Sequence, residues 1–108
     1  ISDGLNTISQ CKSMMHGEKV AFGSLVQLAM ENASSEELVE AYGFCLDVGL
    51  PVTLAQLGIT SDVSSCIAQI AAVATQPEKS IYNMPFPINT ALVADAISMA
   101  DAYGQKLQ

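Results

Sequence analysis

His16 is the one histidine of this sequence, and it opens the octet His16-Gly17-Glu18-Lys19-Val20-Ala21-Phe22-Gly23 at the head of an apolar helix. An imidazole at the head of a helix sits at the positive end of the helix macrodipole. That position disfavours the imidazolium and favours the neutral ring that metals bind. Gly17, having no side chain, lets another group approach the ring closely. On spacing alone a capping or surface role is the commoner fate of such a histidine, because nothing else in the sequence completes a coordination shell around it.

The other reactive side chains form no recognised constellation. Cys11, Cys45 and Cys66 are odd in number, widely spaced and free of any CxxC pair. They read as buried, reduced thiols of a cytoplasmic protein rather than as a disulfide framework or a zinc ribbon. A dinucleotide-binding GxGxxG, a P-loop, a GxSxG elbow and an HExxH helix are all missing. Met14 and Met15 read as gap-fillers, and Tyr82, Met84 and Phe86 as packing rather than cleft residues. Glu18 and Lys19 read as a solvated pair, and Glu36, Glu37 and Glu40 as a solvated face.

Composition narrows the partners. The 108 residues are 50% hydrophobic and 14% charged, against about 25% charged in an ordinary soluble domain. So apolar a surface is expected to be covered in part by something else. Eleven acids against four bases give a formal charge of −7, which argues against nucleic acid and against an anionic membrane surface. No apolar run approaches the roughly 20 residues of a membrane span, and no signal peptide is recognisable.

The elements that must position His16 are helices. Ile1, Leu5 and Ile8 fall on one helical face, so the sequence, which has no initial methionine, is expected to be a fragment that opens inside a helix. Ser9 to Met15 is a polar connection. Gly17 to about Asn32 is a helix buried over most of its circumference, with Ala21, Leu25 and Leu28 flanked by Phe22, Val26 and Ala29, and a polar stripe of Ser24, Gln27 and Glu31. Ser34-Ser35-Glu36-Glu37 is a capping box that opens a helix packing Leu38, Tyr42 and Cys45, with Gly49 as its left-handed end and Pro51 beyond. Leu50 to Ile59 is an apolar linker. Thr60, Ser61 or Asp62 caps a helix carrying Val63, Ile67, Ile70 and Ala74, which Pro77 closes. Glu78 to Pro87 is a loop. Asn89 or Thr90 caps a last helix with Leu92, Ala96, Ala100, Tyr103 and Leu107 on its inner face. With no convincing strand, residues 1–108 read as one all-α domain.

Four ordered segments carry a resemblance to a known family. These are Asp3-Gly4-Leu5 with the His16–Gly23 octet, Gly49-Leu50-Pro51-Val52-Thr53-Leu54-Ala55-Gln56-Leu57-Gly58, Asn83-Met84-Pro85-Phe86, and Ala102-Tyr103-Gly104-Gln105. Together they resemble the glycerol dehydrogenases of the iron-type (group III) metal-dependent alcohol dehydrogenase superfamily, across nearly the whole chain. Ser2-Asp3 stands where relatives often have His-Asn.

The resemblance implies that residues 1–108 are the C-terminal helical metal-binding domain of a dehydroquinate synthase-like fold, about four to five helices, without its N-terminal nucleotide-binding α/β domain. It implies an NAD-dependent enzyme oxidising glycerol to dihydroxyacetone. The implied divalent metal, zinc ahead of iron, sits on one Asp and two His, of which His16 is the last, the other two lying upstream of Ile1. There the metal would acidify the substrate hydroxyl and hydride would pass to the nicotinamide. Neither metal nor NAD is expected on this chain alone, which should be inactive. The implied partners are the N-terminal domain, a small polyol and further copies in a homo-oligomer. The alternatives are another small diol or alcohol as substrate, or a non-catalytic helical interaction module.

Overall fold

The computed structural model describes residues 4–5, 8, 16–75 and 89–107, and the side chain of His16 lies outside that description. Four helices are described: α1 (His16–Met30), α2 (Ser35–Val48), α3 (Val63–Ala74) and α4 (Thr90–Leu107). No strand occurs among the described residues. The fold is all-helical, as the sequence predicts. Helix α4 is the hub, packing against α1 on one side and α3 on another, while α2 packs on α1.

The helix ends follow from local chemistry. Asn32 adopts a left-handed conformation with φ 58°, and Ala33 N–H and Asn32 N–H return to the carbonyls of Leu28 and Ala29 at 3.0 and 3.3 Å. This paired closure ends α1 at Met30, short of the expected Asn32, because asparagine tolerates the left-handed region. Two residues on, the Ser34 hydroxyl accepts from Glu37 N–H at 3.2 Å and donates to the Glu37 carboxylate at 3.3 Å. The Ser34 half of the expected capping box is thus present, and the Glu37 carboxylate meets the Ser34 hydroxyl. Gly49 ends α2 at φ 80°, its N–H bonded to Leu46 O and Leu50 N–H to Cys45 O at 2.8 Å.

Asn89 opens α4, its side-chain oxygen accepting from Leu92 N–H at 2.8 Å. Asp62 precedes α3 in a left-handed conformation, φ 52°, and its side chain makes no capping bond. At the far end of α3, the Thr75 hydroxyl bonds back to Ala71 O at 2.8 Å and meets the Thr90 hydroxyl at 3.1 Å, joining α3 to the start of α4. Pro77, the loop of Tyr82, Met84 and Phe86, Met14, Met15 and Cys11 lie outside the described residues.

The inner faces largely follow the expected ones, with α1 burying Phe22, Leu25 and Val26 and exposing Ser24, Gln27 and Glu31 as read. Helix α3 buries Cys66, Ile70, Ala71 and Ala74, and leaves Val63 and Ile67 half-buried. Helix α4 buries Val93, Ala96, Ile97, Ala100 and Gly104, while Leu107 is 42% exposed. On α1 the exposed stripe includes Val20 along with Ser24, Gln27 and Glu31, all on one side of the helix.

The largest departure is the stretch expected to be a simple linker. Pro51, Val52, Thr53, Leu54, Leu57 and Ile59 are all buried. Leu57 and Ile59 donate their N–H groups to Leu54 O, both at 3.0 Å, and Gln56 bonds through its side chain to Val52 N–H at 2.7 Å. A non-helical segment can enter a core only if its backbone polar groups are satisfied. Here the turn satisfies them itself, with help from α4.

Candidate functional site

His16 is the first residue of α1, as the sequence predicts, so its backbone stands at the helix N-terminus. Among the described residues, a Cβ built on Gly17 meets nothing within 4 Å. Glu18 is the acid of the first turn and is half-buried.

Lys19 overturns the expected solvated pair, for it is only 6% exposed. The cause is helical geometry: Lys19, Phe22 and Val26 recur at the spacing of one face, and Phe22 and Val26 are fully buried. A lysine can follow them inward because its stem is four methylenes. Glu36, Glu37 and Glu40 on α2 are exposed, as expected.

No group of three or more His, Cys, Asp or Glu side chains able to hold a metal ion occurs among the described residues. The cysteines are poor substitutes. Cys45 and Cys66 are free and buried, and burial pushes the Cys45 thiol above its ordinary pKa, away from the thiolate that binds metals. The described residues therefore do not make a metal centre by themselves, and any centre built on His16 needs donors from elsewhere.

The helix that carries His16 is held through α4 by three contacts that sequence reading did not find. The Tyr42 hydroxyl, fully buried, donates to Ala100 O at 2.8 Å, and its ring meets Tyr103 edge-on with centroids 4.7 Å apart. Asp101 accepts from Leu54 N–H at 2.8 Å through one carboxylate oxygen and from the Gln105 amide at 2.8 Å through the other. Gly104 lies directly under the Val52 carbonyl, where a Cβ would overlap the oxygen. Two of the segments that carried the resemblance, Gly49–Gly58 and Ala102–Gln105, thus pack on each other. Their residue types alone held no sign of this contact.

A cavity of ≈ 100 Å³ opens between α1, α2 and α4, lined by Leu28, Leu38, Tyr42, Met99 and Tyr103 among others. Its walls are mainly apolar and it lies away from the head of α1. A polyol needs converging polar groups, so this cavity does not suit one.

No family model matches the chain. Among curated proteins it is 45% identical over 105 residues to a glycerol dehydrogenase of Pseudomonas putida, a match covering 97% of this chain and 29% of that protein. It is also 32% identical over 108 residues to a glycolaldehyde reductase of Halobacterium salinarum, covering 100% of this chain and 30% of that protein. Among solved structures, a probable glycerol dehydrogenase from Sinorhizobium meliloti superimposes with a TM-score of 0.96 at 40% identity, over 99% of this chain and 30% of that chain. The chain spans about 29% of the length of the first curated relatives it matches.

Proposed function

Because this chain belongs with the glycerol dehydrogenases by homology along nearly its whole length, we propose that it is the C-terminal helical part of an NAD-dependent enzyme that oxidises glycerol to dihydroxyacetone, with His16 supplying one ligand to a divalent metal. The observation that carries the reading is the superposition at a TM-score of 0.96 with 40% identity, since that identity extends the likeness beyond the fold. The all-helical architecture and the position of His16 at the first residue of α1 agree with it.

In this reading the other ligands, and the nucleotide-binding domain that holds NAD, belong to the remainder of the polypeptide. A divalent metal, zinc ahead of iron, supplies Lewis acidity toward the substrate hydroxyl when bound. This chain's own part is positional. His16 is the first residue of helix α1. The Val52–Ile59 turn, Tyr42 and Asp101 fix α4, and α4 fixes α1. The full enzyme works in the cytoplasm as a homo-oligomer in this account, and no described helix is long and apolar enough to cross a membrane.

A second reading keeps the superfamily and changes the substrate. It is favoured by the likeness to a protein named glycolaldehyde reductase, 32% identical over this chain. Steady-state assays of the full-length enzyme with NAD against glycerol, other small diols and glycolaldehyde separate the two. The first reading expects glycerol to give the highest kcat/KM, and a different preferred substrate moves the assignment to the second. The 108-residue chain alone is expected to bind no metal and to turn over nothing; glycerol oxidation by it would contradict this division of labour.

A further inference from the structure

We draw no further inference here: the strongest candidate, the exposed apolar flanks of α2 formed by Val39, Phe44, Leu46 and Val48, carries nothing because no observation in the structure shows what covers them.

Discussion

Gly104 of α4 lies directly against the carbonyl of Val52, so close that even a methyl group has no room between helix and turn. The glycine is required by that approach rather than by its backbone angle.

This relationship sets a sign. In an open helix interior, glycine to alanine stabilises by about 0.5–1 kcal/mol. Gly43 of α2 is such a place, with nothing within 4 Å of a built Cβ, and Gly43→Ala should gain about that much. Gly104→Ala should instead cost on the order of 1–3 kcal/mol, because backbone cannot swing aside as a flexible side chain can. Urea unfolding of the two variants checks this, and stabilisation by both would remove the contact from the account.

Tyr42 should make stability fall at high pH. Burial, with the neighbouring Tyr103, Cys45 and Asp101 adding to it, raises the phenol well above its ordinary value. In the unfolded chain it ionises near pH 10. Its contribution is therefore complete below about pH 10 and is lost progressively above it, where the unfolded state releases a proton that the folded state retains. Tyr42→Phe should lose about 0.5–1.5 kcal/mol at neutral pH with the hydrogen bond to Ala100 O. The gap between the parent and this variant should narrow above pH 10. Denaturant midpoints of both proteins, measured from pH 7 to 11, read the difference directly.

The three caps should not weigh equally. Ser34→Ala and Asn89→Ala each remove an oxygen bonded to a helix N–H, and each should cost about 1 kcal/mol. Asp62 makes no such bond and occupies a left-handed conformation that glycine adopts freely. Asp62→Gly should therefore be close to neutral. Thermal melts of the three variants rank them, and a loss at Asp62 equal to that at Ser34 would contradict the ranking.

Asp101→Ala should destabilise by about 1–3 kcal/mol, since it leaves the part-buried Leu54 N–H without its partner. Asp101→Asn keeps a side-chain oxygen for that bond and should recover most of the loss. Equal losses in the two variants, compared by urea unfolding, would assign the effect to the lost charge rather than to the bond.

The features legible in the sequence were those set by near neighbours. Ser34 with Glu37, Gly49 before Pro51, and Asn89 ahead of an apolar helix are signals a few residues long, and all three ends form as read. The end of α1 was read at about Asn32, and the left-handed turn at that residue closes the helix two residues earlier, at Met30. The burial of Lys19 follows from its helical register with Phe22 and Val26, which its charge masks in the sequence. The 50–59 turn was the hardest, since its burial depends on Asp101 and Gly104, 47 and 52 positions away from their partners. The placement of His16 at a helix head was legible; a set of three or more metal-ligating side chains does not occur among the described residues.

The central claim is that His16 is a metal ligand of a larger enzyme, and its most direct measurement is metal content alongside turnover in the full-length protein carrying His16→Ala. The account predicts a folded protein whose bound divalent metal and glycerol oxidation are lost together. A variant that retains stoichiometric metal and parental kcat/KM would contradict it.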